Sequence, residues 1–145
     1  MAKRAKSEEI EETDRIAGFL HPRENFRLVG QGEALARAAR AIRSGKTPQG
    51  WLIAGPPGIG KATLAYHIAR YVLKYGARAE GPEDLSVPEK DPVAMQVAAG
   101  SHPGLLVLRR AANPDTGRMM YVVSVDEVRK LSGFFHLTSG AGGWR

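Results

Sequence analysis

The sequence predicts an α/β fold in which a parallel sheet is flanked by helices. Residues 51–54 are apolar and rich in strand formers, and a glycine-punctuated turn follows them directly. An amphipathic helix begins where the turn ends, with apolar residues at helical spacing. A strand, a glycine-rich turn and a helix in this order form the context of a phosphate-binding loop. The alternative interpretation, a glycine-rich turn without a ligand, is disfavoured by that order.

The turn fills three fixed positions of the pattern G-x-x-x-x-G-K-[ST] with Gly55, Gly60 and Lys61. Glycine suits these positions because backbone N–H groups must close around phosphate oxygens, some at φ angles that side chains disfavour. The helix that follows directs its N-terminal N–H groups and positive dipole end at the same anion. The predicted phosphate site comprises Gly55, Pro56, Pro57, Gly58, Ile59, Gly60, Lys61, Ala62 and Thr63.

The residue after the Gly-Lys pair departs from the pattern. Ala62 stands where the motif has the hydroxyl that holds Mg²⁺. Thr63 comes one residue later, about 100° further round a helix, so its hydroxyl is expected to point away from the metal. The loop is therefore predicted to hold phosphate but to place Mg²⁺ poorly, and no metal-binding residue is predicted.

Composition is ordinary for one soluble domain of 145 residues. No apolar run approaches the ~20 residues of a membrane-spanning helix, so no membrane partner is predicted. The chain contains no cysteine, which excludes disulfides and thiolate metal sites. A cytoplasmic location is expected.

The net charge of +6 is concentrated around the loop. Residues 27–78 contain a single acid, Glu33, and nine cations. A basic block of this kind suits a polyanionic partner, either nucleic acid or nucleotide. Solvated helix faces explain the same charges equally well. The nine cations are Arg27, Arg37, Arg40, Arg43, Lys46, Lys61, Arg70, Lys74 and Arg78.

Apolar periodicity predicts helices over 32–44, 60–74 and 93–99, and a further helix follows the S-x-x-E capping box at Ser124. Residues 105–108 and 119–123 read as strands, 113–117 as a turn, and 77–92 as a surface excursion. The apolar stripe of the first helix is expected to comprise Leu35, Ala38, Ala39 and Ile42. The buried face of the second is expected to comprise Leu64, Ile68 and Val72, with Ala65 and Tyr71 beside them. Val128, Leu131 and Phe135 of the last helix are expected to face the core.

Three segments, in this order and spacing, resemble the delta-prime subunit of the bacterial DNA polymerase III clamp loader. They are residues 25–73, 97–110 and 123–135, within a resemblance that covers roughly 21–145. These subunits are AAA+ proteins related to the gamma/tau subunits and to eukaryotic replication factor C. In the family a Val-Gly-Gln segment lies near the adenine, which adds Val29 to the nucleotide-binding set. Gly104 stands where the family usually has an aspartate.

The resemblance implies a subunit that joins gamma/tau and delta partners and helps to load the sliding clamp on primed DNA. It implies ATP as a cofactor, bound weakly if at all, and Ala62 agrees with delta-prime subunits that do not hydrolyse ATP. The zinc-binding cysteines of the family are absent, so no zinc is predicted. No catalytic residue is predicted, although such a subunit is grouped with DNA-directed DNA polymerase through the holoenzyme it joins.

The resemblance also divides the chain. Residues 1–20 are expected to form a flexible charged tail, and residues 21–145 the N-terminal part of an AAA+ nucleotide-binding domain, incomplete at its C-terminus. The family's metal-binding acids are expected beyond residue 145. Two other interpretations stay open, namely a P-loop ATPase or kinase that uses Lys61, and a partial domain that folds poorly alone.

Overall fold

The computed structural model describes residues 14–76, 80–113 and 115–136. Within them, each of the first three helices lies within one residue of its predicted bounds, and the fourth begins directly after its predicted cap. In the described part of the chain, no helix is both long and apolar enough to cross a membrane. The four helices are α1 (Gly32–Arg43), α2 (Lys61–Tyr75), α3 (Pro92–Ala98) and α4 (Val125–His136).

The parallel sheet stays a prediction. Residues 51–54 and 105–108 are irregular, and in the described ranges the one pairing of strand type is an isolated antiparallel bridge between Ala112 and Met119. The turn that leads into this bridge is the predicted one. Asn113 Oδ1 accepts the backbone N–H groups of residues 115 and 116 at 2.8 and 3.0 Å, as an Asx turn requires.

The core forms where α1, α2, α3 and the segment 80–91 meet. The predicted stripe of α1 is confirmed, because Ala38, Ala39 and Ile42 are buried and Leu35 packs against them. Tyr71 of α2 is fully buried in the same cluster, and Ala94 of α3 closes it. The remaining members and their partly buried neighbours are Leu85, Val87, Phe26, Ile68, Val72 and Tyr75.

The interpretation of 77–92 as a surface excursion is wrong for its described part. Leu85 is completely buried and Val87 is 8% exposed, although acids and prolines surround them. The Leu85 N–H donates to the Pro82 carbonyl at 3.1 Å, and Asp84 Oδ1 accepts the Ser86 N–H at 3.0 Å. These turns direct single apolar residues inward while their charged neighbours stay in solvent. Average composition over the segment hides such isolated anchors.

The sequence also does not predict that α2 carries a buried charge. Arg70 is 1% exposed, although the sequence places it in the basic block. Its guanidinium donates to the carbonyls of Arg23 and Asn25 at 2.9 and 3.0 Å and lies 4.2 Å from the centre of the Phe26 ring. Burial lowers the pKa of Arg70 from its usual value, and the charge of Glu89 opposes this to a lesser degree. Planar guanidinium suits this role because it donates in fixed directions and stacks on aromatic rings.

The expectation that α4 faces the core is wrong. Ser124 Oγ accepts the Glu127 N–H at 3.3 Å, as the capping box predicts. However, α4 contains no buried residue, and Val128 and Phe135 are 48% and 65% exposed. Hydrophobic periodicity defines which face of a helix is apolar, but it does not provide the element that covers this face.

The predicted tail falls mainly on residues 1–13, which lie outside the described residues. Its last part contacts the body of the chain. Asp14 Oδ2 accepts Arg109 Nε at 2.8 Å and lies 3.2 Å from Nε2 of the buried His21. Burial opposes ionisation of Asp14, but hydrogen bonds with Arg109 and His21 prevail and lower its pKa.

Leu85→Ala tests the role of the 80–91 segment. We expect it to lower the free energy of unfolding by about 3 kcal/mol, because it removes a fully buried side chain and leaves a cavity. The matched control is Leu20→Ala, since Leu20 is 70% exposed and should cost less than about 0.5 kcal/mol. Urea unfolding followed by circular dichroism measures both. Equal effects of the two substitutions would show that Leu85 is not a core residue.

Candidate functional site: a phosphate-binding loop

Residues 55–60 form a tight turn that ends at the first residue of α2. Gly58 and Gly60 have φ angles of +80° and +88°, a region that residues with a side chain rarely adopt. Gly60 is the N-cap residue of α2, whose backbone N–H groups begin at Lys61 without any side-chain cap. The loop therefore combines left-handed glycines with an uncapped helix N-terminus, which is the arrangement that binds phosphate.

Ile59 closes the loop upon itself. A Cβ atom placed on Gly55 would lie 2.5 Å from Ile59 Cδ1, so the Ile59 side chain rests directly against the Gly55 backbone. The Ile59 carbonyl accepts a hydrogen bond from Nε2 of Gln31, a residue 28 positions earlier in the chain. Two contacts therefore stabilise the loop, namely the packing of Ile59 on Gly55 and the hydrogen bond from Gln31.

Lys61 is folded back onto the loop. Its Nζ donates to the carbonyls of Gly55 and Pro56 at 2.8 and 2.6 Å. The lysine charge therefore lies at the turn itself, within reach of an anion held by the same residues. A phosphate that binds Lys61 must compete with these two carbonyl acceptors.

The loop lacks the side chains that bind Mg²⁺ in phosphate-binding loops. Ala62 is exposed, and it presents only a methyl group where the motif has a hydroxyl. The first turn of α2 contains no acidic residue. Among the described residues, no group of three or more His, Asp or Glu could hold a metal ion. The prediction that zinc is absent stays a prediction.

A cavity of about 540 Å³ lies between the start of α1, residues 51–54 and α2. Gly30 and Gln31 line it, whereas the Val29 side chain is 85% exposed and lies elsewhere. The structure therefore brings the Gly-Gln part of the Val-Gly-Gln segment to the loop, and leaves Val29 in solvent. The other lining residues are Glu33, Ala34, Arg37, Ala38, Trp51, Leu52, Ile53, Ala54, Leu64 and Ile68.

The contact between Gln31 and the loop was not predicted. The family resemblance places residue 31 only in a segment near the adenine and implies no role for its side chain. One signal was available, because Gln31 directly precedes α1 and a glutamine there is long enough to cross to a neighbouring turn. Its target, a main-chain carbonyl, has no sequence signature.

The basic block separates into cations that are engaged and cations that are not. Lys61 and Arg70 bond to carbonyls, Lys74 pairs with Asp91, and Arg43 lies 3.8 Å from Glu83. Arg78 lies outside the described residues. The cations that are exposed and that have no acidic partner in the described ranges are Arg27, Arg37, Arg40 and Lys46.

Comparison with known proteins gives partial similarity. No protein-family model and no solved structure matches the chain. Over 85 residues the chain is 34% identical to the ESX-1 secretion system protein EccA1 of Mycolicibacterium smegmatis. The aligned region covers 57% of this chain and 15% of EccA1. Over 93 residues it is 39% identical to the chloroplastic chaperone protein ClpC4 of Oryza sativa subsp. japonica. The aligned region covers 54% of this chain and 10% of ClpC4.

The chain thus spans 15% or less of the length of these curated relatives. Both are AAA+ ATPase proteins, and the similarity to them extends over about half of this chain. It does not distinguish a clamp-loader subunit from other members of that group.

Proposed function

We propose that this chain is a delta-prime-like subunit of a bacterial clamp loader, and that it helps to load the sliding clamp on primed DNA. In this role it joins gamma/tau and delta subunits in the cytoplasm. Its phosphate loop binds ATP weakly and does not hydrolyse it. The resemblance of residues 25–73, 97–110 and 123–135 to these subunits supports the proposal, together with the partial similarity to AAA+ ATPases.

One observation supports this function over others. The loop has the parts that hold a phosphate, namely left-handed glycines, an uncapped helix N-terminus and Lys61, but Ala62 offers Mg²⁺ no ligand. In phosphoryl transfer Mg²⁺ bridges the β- and γ-phosphates and neutralises developing charge. A loop that binds phosphate without placing the metal stabilises ground state and transition state alike, and such uniform binding does not raise kcat.

The α1 surface suggests how the chain contacts DNA. Arg37 and Arg40 lie close together on the exposed side of α1, and Lys46 follows shortly after the helix ends. No described acid lies within ion-pair distance of them, whereas most other cations of the basic block are engaged. Exposed arginines are common ligands of DNA phosphates, and phosphate contacts carry no sequence information directly. We assign to this surface a weak, sequence-independent contact with duplex DNA inside the complex.

The competing function is a P-loop ATPase or kinase that uses Lys61. Lys61 favours this function because it can bind the phosphates of ATP, and Ala62 disfavours it because it offers no ligand to Mg²⁺. This function predicts ATP turnover that is lost in Lys61→Ala, whereas the clamp-loader proposal predicts no hydrolysis above background in either protein. A phosphate-release assay with both proteins therefore distinguishes the two classes.

Assembly tests the proposal most directly. The purified chain is mixed with bacterial gamma/tau and delta subunits, and complexes are resolved by size-exclusion chromatography. We expect a stable complex that contains all three, and loading of the sliding clamp on primed DNA that depends on this chain. If the chain neither enters the complex nor affects loading, the clamp-loader assignment is wrong.

Nucleotide binding should be nearly independent of Mg²⁺. We expect the affinity for ATP, measured by calorimetry, to change less than about tenfold, or about 1.4 kcal/mol, between Mg²⁺ and EDTA. Ala62→Thr, which restores the hydroxyl, should make binding more dependent on Mg²⁺. Lys61→Ala should weaken binding under both conditions. A larger Mg²⁺ enhancement in the unmodified chain would mean that another residue holds the metal.

The α1 surface predicts salt-sensitive DNA binding. Replacing Arg37 and Arg40 together by Gln should weaken duplex binding and reduce the slope of log K against log salt concentration by about 2, one for each phosphate contact. The control replaces Arg129 and Lys130 of α4 by Gln, which removes the same charge from residues already paired with acids on α4. Fluorescence anisotropy with an unrelated duplex measures both. Equal losses would show that net charge alone governs binding.

A further inference from the structure

We propose that Gln31 is a positioning residue, which fixes the phosphate loop in its anion-binding shape through the Ile59 carbonyl. The proposal deepens the proposed function, since it rests on phosphate binding by the same loop. Gln31 does not touch the anion in this proposal. It orients the peptide that does.

The backbone of Gln31 belongs to α1, but its side chain does not. Gln31 is the N-cap residue of α1, and its carbonyl accepts the Leu35 N–H at 2.9 Å. Its side chain makes no capping hydrogen bond to the helix, and glutamine is not one of the residues that commonly cap helices. Instead, Nε2 donates to the Ile59 carbonyl. The side chain is therefore available for the loop.

The direction of one peptide plane explains the effect. In a trans peptide the carbonyl and the N–H of the next residue point to opposite sides of the chain. A hydrogen bond that holds the Ile59 carbonyl toward Gln31 therefore directs the Gly60 N–H away from Gln31. Gly60 is the N-cap residue of α2, and its φ of +88° permits the turn that this orientation requires. In phosphate loops, backbone N–H groups of this segment surround the phosphate oxygens.

The start of α1 is a firm support for this contact. Ala38, Ala39 and Ile42 anchor α1 in the core, and all three are at most 6% exposed. Gln31 is half-buried and lines the cavity beside the loop. The loop is thereby connected to the core through one amide group, in addition to its covalent continuity with α2.

The test replaces Gln31 by Met, which keeps the length of the side chain and adds no charge but removes the donor. Gln31→Asn is the second variant, since it keeps the amide but shortens the side chain by one methylene. The control is Gln96→Met on the exposed surface of α3. Thermal unfolding by circular dichroism verifies that each variant folds.

Two readouts are used. The first is the affinity for inorganic pyrophosphate, measured by calorimetry. We expect both Gln31 variants to bind about fivefold more weakly than the unmodified chain, as the loss of one hydrogen bond predicts, and Gln96→Met to bind equally well. The second is the NMR spectrum without added anion. The Ile59 carbonyl ¹³C and Gly60 amide resonances should shift in both Gln31 variants and stay in place in Gln96→Met.

The two readouts separate the two hypotheses. If the unmodified chain binds pyrophosphate and the Gln31 variants bind it equally well, the positioning role is wrong. The role is also wrong if the Ile59 and Gly60 resonances do not move. If the unmodified chain does not bind pyrophosphate, the proposed phosphate binding by this loop is wrong, while a shift confined to the Gln31 variants still upholds the contact.

Discussion

The buried guanidinium of Arg70 is the interaction on which the rest of the structure depends. A charge that is 1% exposed is costly to bury, so its donors must be satisfied by precisely directed acceptors. Arg70 meets this need with the carbonyls of Arg23 and Asn25 and with the face of Phe26. These groups belong to a segment with no helix or strand of its own. The buried charge thereby gives an irregular segment a fixed place on α2, and removing those acceptors would leave a buried cation unpaired.

Two further hydrogen bonds connect the segment fixed by Arg70 to α3 and to the phosphate loop. The Arg23 side chain donates to the Ala98 carbonyl at 2.8 Å and so holds the end of α3. Downstream, the chain passes from Phe26 to Gln31, whose amide reaches the Ile59 carbonyl. α2 therefore contributes to the loop twice, directly through its own N-terminus and indirectly through Arg70 and the segment it fixes. The geometry of the loop therefore depends on α2 and on the segment 23–31.

The sequence predicts well what depends on local periodicity and turn chemistry. The bounds of α1, α2 and α3, the stripe of α1 and the Asx turn at Asn113 all follow from patterns within a few residues. It predicts poorly what depends on a distant partner. Arg70 looks like any surface cation until its acceptors 45 and 47 residues away are known.

Leu85 and α4 also show that burial depends on distant partners that the local sequence does not reveal. An isolated leucine among acids and prolines becomes a core residue because α1 and α2 present a site for it, and an apolar helix face stays exposed because no described element covers it. The candidate site likewise has one part that the sequence predicts and one part that it does not. The order of glycines and Lys61 is visible in the sequence, whereas the Gln31 contact joins residues 28 positions apart and ends on a carbonyl that any residue could supply.

The loop's own hydrogen bonds give a physical reason to expect that the proposed nucleotide binding is weak. Lys61 donates to the Gly55 and Pro56 carbonyls, and Ile59 packs on Gly55, so the loop is already stabilised by internal contacts. A phosphate gains the Lys61 charge only by displacing these acceptors, and the net gain is the difference between two sets of charge-assisted hydrogen bonds. In loops with a hydroxyl after the lysine, Mg²⁺ adds a further bridge to the phosphates, which Ala62 cannot provide. The internal bonds that shape the loop and the missing metal ligand therefore act in the same direction. Both would keep the affinity of the loop for nucleotide low, which is the weak binding that we propose.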